Sequence, residues 1–137
     1  MKTAIKNHLN FFIASSFFVL SMPQSGVALA ADTLSAEQIR ALIVGKTASI
    51  FNVDKGFDVQ AYFSADGKIA GQNLTKKKQI QGTWEITGDG MLCTESNLAA
   101  RTCGVFVANG DGTYKRMVNG EHAQTYSAFA DSNPKGY

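Results

Sequence analysis

The sequence predicts a mainly β protein: a small antiparallel up-and-down β-barrel, or barrel-like meander, of about seven or eight strands. Two segments, 57–63 and 79–87, alternate apolar and polar residues with the period of two that is typical of half-buried strands. Asp-Gly pairs at 66–67, 89–90 and 111–112 lie between strand candidates and predict tight turns. Closing such a meander into a barrel removes its exposed edges, and a flattened sandwich is the alternative.

Residues 1–30 have the composition of a secretory signal peptide. A basic start with Lys2 and Lys6 precedes the apolar run at 9–20, which is shorter than the about 20 residues needed to span a bilayer. The segment ends in the small-residue sequence Ala-Leu-Ala at 28–30, which fits a cleavage site. We therefore predict cleavage directly after it and a periplasmic or secreted protein, with an uncleaved anchor as the alternative.

The mature chain, 31–137, is predicted to be electrically neutral. The full sequence has 13 Lys and Arg against 11 Asp and Glu, and losing Lys2 and Lys6 with the signal leaves eleven of each sign. This balance argues against nucleic acid and anionic membranes as partners. The composition, 45% hydrophobic and 18% charged, suits a single soluble domain, which we place at 31–130, with a flexible tail at 131–137.

A short helix at about 35–44 is expected to begin the domain. Ser35 and Gln38 form the S-x-x-Q pattern of a capping box, in which side chains satisfy free amides at the helix start. Gly45 is placed to end the helix. The apolar residues of one face are Ala36, Ile39, Leu42 and Ile43. We expect this helix to plug or flank the sheet, and a docking helix for a partner is the alternative.

Strand candidates extend over about 47–129. Besides the two clear segments they cover 47–53, 68–73, 91–95, 102–108, 113–118 and 125–129. Trp84 falls on the apolar face of its strand, with Gly82 making room beside it. We expect Trp84 in the core, with a pocket wall as the alternative.

Cys93 and Cys103 are the two cysteines of the chain. Two cysteines in an exported protein predict one disulfide. They lie on consecutive strand candidates, level with each other across the loop 96–100, so the bridge would fix the register of a hairpin. A reactive or metal-binding thiol pair is the alternative, but no His or Cys neighbours them in the sequence.

The sequence shows no familiar catalytic constellation, so we predict no catalytic residue, no metal site and no cofactor. His122 is the one histidine of the mature chain, and no nucleophile pattern accompanies it. The segment 109–113 lacks the distal Glu of a calcium loop, and a hairpin turn explains it. A hydrolase acting through carboxylates alone ranks below a binding function, because none of the acidic residues has an unusual apolar setting.

Aromatic and basic residues supply the candidate contacts for a ligand or partner. Tyrosines at a barrel mouth, among which Tyr62, Tyr114 and Tyr126 are candidates, combine an aromatic body with a polar tip. Our predicted contacts are Tyr62, Trp84 and Tyr114. The basic candidates are Lys76, Lys77 and Lys78. This lysine run is either a solvated loop or a contact for an anion or an acidic partner.

Five motifs in order resemble those of a known family. They are aromatic-Phe-x-x-Asp-Gly at 62–67, Gly-x-Trp at 82–84, Gly-x-Leu-Cys at 90–93, a second cysteine at 103 and Gly-x-Tyr at 112–114. The chain resembles, from about 34 to 118, a family of small exported proteobacterial proteins classed as a domain of unknown function. The resemblance implies a bacterial periplasmic or exported protein with a β-rich, disulfide-bonded fold. It carries over no catalytic residue.

We therefore expect a monomeric, non-enzymatic binding or accessory module that holds a small apolar ligand or an envelope protein at the barrel mouth. The alternative is a protein-interaction or inhibitor module similar to the periplasmic lysozyme inhibitors, with the loops at 76–78 and 96–100 as candidates. The Ser-Gly-x-x-Tyr signature of those inhibitors is missing from the sequence. A cavity preserved inside the barrel would favour the first hypothesis, and an interior filled with side chains would exclude its small-ligand version.

Overall fold

The computed structural model describes residues 33–137, which form one helix and a closed antiparallel barrel of eight strands. The predicted signal peptide at 1–30 lies outside the described residues. The helix α1 covers Ala36–Ile43. The strands are β1 (Lys46–Asn52), β2 (Phe57–Phe63), β3 (Lys68–Asn73), β4 (Lys78–Ile86), β5 (Leu92–Ser96), β6 (Ala99–Ala108), β7 (Tyr114–Val118) and β8 (Glu121–Asp131).

The strands follow one another around the barrel in sequence order. Each pairs with the next, and β8 pairs with β1, for example through Ile50 opposite Tyr126. The predicted meander is thus confirmed, and the barrel is favoured over the sandwich because the ladder has no free edge. Within residues 33–137, no helix has the length and apolarity that crossing a bilayer requires.

Alternate residues of the strands point inward and form one core. Ala61 and Phe63 of β2 and Ile80 and Trp84 of β4 are buried, as the alternation predicted. Gly82 lies inward between the last two, and a side chain there would overlap the carbonyl oxygen of Glu95 on β5. A glycine at such a position lets neighbouring strands coil closely enough for the sheet to close.

The helix α1 closes one end of the barrel. Its capping box is formed as expected: the Gln38 amide donates to Ser35 Oγ (3.3 Å), and the Ser35 amide donates to Gln38 Oε1 (2.8 Å). Ile39 and Ile43 are fully buried and belong to the same core cluster as Trp84. The helix therefore acts as the plug that its apolar face predicted.

The barrel has two different ends because the chain runs up and down. We call the end that α1 covers the closed end; it also carries the turns at 64–67, 87–91 and 109–113. The opposite, open end carries the turns at 53–56, 74–77, 97–98 and 119–120. The helix leads directly into the first residue of β1, which fixes this assignment for every later strand.

The predicted disulfide is formed on the outer wall. Cys93 of β5 lies directly opposite Cys103 of β6, with 4.0 Å between their Cα atoms. Glu85 of β4 is paired with Cys93 in the ladder and forms an ion pair with Arg101 of β6. Disulfide and ion pair together join three consecutive strands on the face away from the core.

The chain end folds back along the outside of the barrel. Thr47 Oγ1 donates to the Ser132 carbonyl (2.8 Å), and the Ser132 amide donates to the Gly45 carbonyl (3.1 Å). The Tyr137 hydroxyl donates to Gln60 Oε1 (3.3 Å). Strand β8 includes Asp131, so the predicted tail begins one residue later than expected. Its flexibility stays a prediction.

Candidate functional site

A cavity of about 110 Å³ lies inside the open half of the barrel. Its walls are mostly apolar, and Phe63 and Tyr126 lie at its inner end, next to the packed core. Lys55 and Leu98, from two turns of the open end, line it at the mouth. Its apolar walls include Ile50, Val59, Ala61 and Ile80.

The cavity exists because small inward residues lie between Phe63 at its inner end and Phe57 near its mouth. On β2 the inward sequence runs from Phe63 at the closed end to Ala61 and Val59. On β3 the inward residue next to Ala61 in the ladder is Gly71, which has no side chain to contribute. Close-packed interiors leave few voids of this size, so an open space at this level is a specific feature of the sequence.

Two asparagines at the mouth shape the turns of the open end. Asn73 is buried, and its Oδ1 accepts from the Lys76 amide (2.8 Å) in the turn after β3. Asn52 Oδ1 accepts from the Lys55 amide (3.0 Å) in the turn after β1. Both side chains line the cavity, but their oxygen atoms hold the rim in place.

A buried arginine lies behind one wall of this cavity. Arg116 of β7 is 1% exposed. Its Nη1 donates to Gln124 Oε1 on β8 (2.8 Å), and its Nη2 donates to the carbonyls of Leu92 (3.0 Å) and Thr102 (2.7 Å). Its Nε is buried and has no hydrogen-bond partner within residues 33–137. The guanidinium thus links four strands from inside the barrel.

The polar groups next to Arg116 reach the cavity itself. Gln124 and Tyr126 both line it, and the Tyr126 hydroxyl lies 3.4 Å from Gln124 Oε1. Burial raises the pKa of Tyr126, and the nearby charge of Arg116 lowers it by a smaller amount. Tyr126 is therefore a neutral hydroxyl at physiological pH, and it donates its one proton to Gln124 Oε1.

The lysine run that the sequence singled out is exposed at the open end. Lys76 and Lys77 lie in the turn after β3, and Lys78 begins β4. The Lys76 ammonium sits 5.4 Å from the ring centre of Phe57, which lines the cavity. A cation over an aromatic face is a modest attraction at an exposed site. The contact with Phe57 places Lys76 beside the mouth of the cavity.

The predicted aromatic contacts lie elsewhere in the barrel and are not brought together. Tyr62 lies on the outer face of β2, between two inward residues. Trp84 is core: its indole N–H donates to the Ser64 carbonyl (3.0 Å) at the closed end. Tyr114 lies at the closed end against Phe129, with 5.7 Å between ring centres.

Sequence reasoning missed the polar pair Arg116 and Gln124. One signal for Arg116 was available, because the alternation in the candidate strand 113–118 puts residue 116 on the same face as Tyr114. A charged residue at an inward position is uncommon and points to a specific role. Gln124 gave no such signal, since it lies just before the predicted last strand at 125–129.

The described residues offer little for metal or nucleophile chemistry. Within 33–137, no group of three or more His, Cys, Asp or Glu side chains is arranged to hold a metal ion. His122 Nε2 lies 3.0 Å from Thr125 Oγ1 at the open end. Glu85, the carboxylate next to Trp84 in sequence, is paired with Arg101 on the outer wall.

Comparison of the chain with family models, with curated proteins and with solved structures found no significant match.

Proposed function

We propose that this protein is a non-enzymatic binding module that holds a small, largely apolar ligand in the open half of its barrel. The observation that carries this proposal is the cavity of about 110 Å³ with apolar walls and a mouth between the turns of the open end. An engineered apolar cavity of about 150 Å³ binds benzene, so a space of this order can hold a small organic molecule.

The ligand must be small, because typical pockets for larger ligands measure about 300–1,000 Å³. A single ring or a short alkyl chain suits the space, with any longer part leaving through the mouth. Leaving such a cavity empty costs stability, since its wall atoms lack contact partners. A ligand that fills it would recover those contacts.

We further propose export to the periplasm or beyond. The signal-like composition of 1–30 supports this, and so does the disulfide between Cys93 and Cys103, because such bridges persist in oxidising compartments. Membership of the exported proteobacterial family stays a prediction based on the five motifs.

The experiment is a titration of the mature protein, 31–137, with toluene, followed by NMR of the backbone amides. Saturable shifts at cavity residues such as Val59 and Ile80 are expected. Ala61→Leu should weaken binding at least tenfold, because the larger side chain enters the cavity. Ala130→Leu is the matched control, since Ala130 is exposed on β8 near the closed end. This variant should bind toluene with the affinity of the wild type.

Two outcomes would overturn the proposal. One is that the wild type binds none of the three compounds toluene, hexanoate and 1-hexanol. The other is that Ala61→Leu, shown by its thermal midpoint to be folded, binds as tightly as the wild type. Native mass spectrometry of protein recovered from the periplasm adds an independent check, because a retained natural ligand would appear as extra mass.

One observation favours a second candidate, a protein-interaction or inhibitor module. Leu98 at the tip of the β5–β6 hairpin is 40% exposed, and Val53 in the β1–β2 turn of the same end is 39% exposed. Apolar side chains at loop tips are suited to insertion into a partner's cleft. Lysozyme activity measured with a molar excess of the protein tests this candidate, and Leu98→Ser should abolish any inhibition found.

A further inference from the structure

We infer that the ligand of this cavity is an organic anion with an apolar body, and that Arg116 recognises its charge from behind Gln124. The inference rests on the proposed function, because it specifies the ligand of the same cavity. It adds the chemical class of that ligand and the residues that select it.

The first step is the charge of Arg116. An arginine side chain stays protonated in proteins, and this one is 1% exposed. Its four hydrogen bonds go to neutral acceptors on Gln124, Leu92 and Thr102. The ion pairs found among residues 33–137 join other side chains. A buried charge without a counter-ion is costly, so an anion bound close by would offset a real penalty.

The second step is the connection between that charge and the cavity. Gln124 accepts from Arg116 through Oε1, and the same residue lines the cavity. Because Oε1 is engaged, the groups that Gln124 can offer to a ligand are the two hydrogens on Nε2. Hydrogen bonds in such a chain polarise one another, so the Arg116 charge strengthens Gln124 as a donor.

The third step is the chemistry at this end of the cavity. The Tyr126 hydroxyl donates its one proton to Gln124 Oε1 (3.4 Å), so the second donor at this end is the hydroxyl of Thr94, which also lines the cavity. Two donor groups, the Gln124 carboxamide and the Thr94 hydroxyl, lie next to a buried positive charge, and this combination suits a carboxylate. The apolar walls around Ile50 and Ile80 suit the body of the same molecule.

The charged residues at the mouth of the cavity are less suited than the buried Arg116 to select a ligand by its charge. Lys55 and Glu95 line the cavity there and have opposite signs, Lys76 lies beside the mouth over Phe57, and all three are exposed. Exposed charges are also screened by water and salt. These exposed charges therefore attract an anion only weakly, whereas Arg116 is the one charged side chain buried among residues 33–137.

The competing explanation is that Arg116 is only an internal brace. It does connect β7 with β5, β6 and β8. A brace predicts no preference for charged ligands and a less stable protein when the arginine is removed. Recognition predicts such a preference, and it is compatible with a stable apolar replacement because buried charges are often replaced by hydrophobic residues without loss.

The deciding experiment compares hexanoate with 1-hexanol, which share the carbon chain and differ in charge at pH 7. We expect the wild type to bind hexanoate at least tenfold more tightly. Hexanoate, and not 1-hexanol, should also shift the NMR signal of the Arg116 Nε–H group. Equal affinities would overturn the inference and leave the apolar-cavity function in place, whereas failure of both compounds and of toluene would overturn the proposed function itself.

Two variants locate the charge that is recognised. Arg116→Met, neutral and similar in length, should reduce the hexanoate preference to within about twofold of 1-hexanol, while 1-hexanol binding persists. Lys55→Met, which removes a charge at the mouth, should keep the full preference. The reverse pattern would place recognition at the mouth and overturn the inference. Should Arg116→Met fail to fold, the wild-type ligand pair and the Nε–H signal decide the matter.

Discussion

The two halves of the barrel are built from the same strands but packed in opposite ways. At the closed end Phe63, Trp84 and Phe106 fill the interior with aromatic rings, and Ile39 and Ile43 of the helix seal it. In the open half, shorter side chains leave a cavity of about 110 Å³. This fold therefore concentrates its packing at one end and leaves a cavity at the other.

The closed half owes its packing to edge-to-face aromatic contacts. Phe63 and Trp84 have ring centres 6.2 Å apart, and Phe106 and Tyr126 have ring centres 4.8 Å apart. Such pairs add about 0.5–1.5 kcal/mol beyond the area that they bury. Tyr126 belongs to both halves, because its ring packs on Phe106 while its side chain lines the cavity.

The largest expected effect comes from removing the tryptophan of the closed half. Trp84→Ala should lower the free energy of unfolding by about 3–5 kcal/mol, since it leaves a large void and removes the indole hydrogen bond to the Ser64 carbonyl. Ile80→Ala, on the same strand in the open half, should cost about 2 kcal/mol or less, because that side chain already borders empty space. Urea unfolding of both variants measures the difference, and equal costs would contradict the division into two halves.

Next in size is the disulfide on the outer wall, which should affect stability and leave the cavity alone. Replacing both Cys93 and Cys103 with Ser opens a loop with a sequence separation of 10. Loop-closure entropy predicts a loss of about 2.5–3 kcal/mol in the free energy of unfolding. Urea unfolding of the variant, and of the reduced wild type, should give the same value. Toluene affinity below the unfolding transition should stay at the wild-type level, and a tenfold loss would show that the bridge shapes the cavity.

A smaller effect is expected at the start of the helix plug. Ser35→Ala removes the side-chain acceptor of the capping box and should cost about 1 kcal/mol. Ser35→Asp, which keeps an acceptor at the helix start, should restore most of that stability. Thermal unfolding of the two variants is the measurement. If the capping box stabilises only the closed half, the affinity for toluene will be unchanged in Ser35→Ala and in Ser35→Asp.

The smallest expected effect is an alkaline loss of stability at the boundary between the halves. Burial raises the pKa of Tyr126 above its ordinary value of 10.0, so the folded state holds this proton more tightly than the unfolded state. Its contribution is fully present below pH 10 and is lost as the pH rises through the folded pKa. Tyr126→Phe should reduce the slope of stability against pH above pH 10. An unchanged slope in Tyr126→Phe would contradict the prediction.

Much of the local structure could be predicted from the sequence, because local patterns determine it. The alternation in 57–63 and 79–87 predicted which residues face the core, since successive side chains of a strand point to opposite faces. Ser35 and Gln38 predicted the helix start, because the capping box closes within four residues. Cys93 and Cys103 predicted their own pairing, since these were the two cysteines available.

The candidate site could be predicted only in part. A mouth on a small barrel was expected, and Tyr126 was among the tyrosines considered for it. Tyr62 lies on the outer face of β2, which the alternation in 57–63 already indicated. Tyr114 lies at the closed end, because the position of a residue along its strand decides which end it reaches. Periodicity gives the face that a side chain takes, but not its height in the barrel relative to residues on other strands.

The strands, the turns, the capped helix and the disulfide could be predicted from the amino-acid sequence, because all of them depend on neighbours within about ten residues along the chain. Three features are visible only in the folded structure: β8 pairs with β1, the open half contains a cavity, and Arg116 is buried near that cavity. Each of these depends on how side chains from distant strands share one interior volume. That volume is set when the barrel closes, because closure fixes the register and the height of every strand at once.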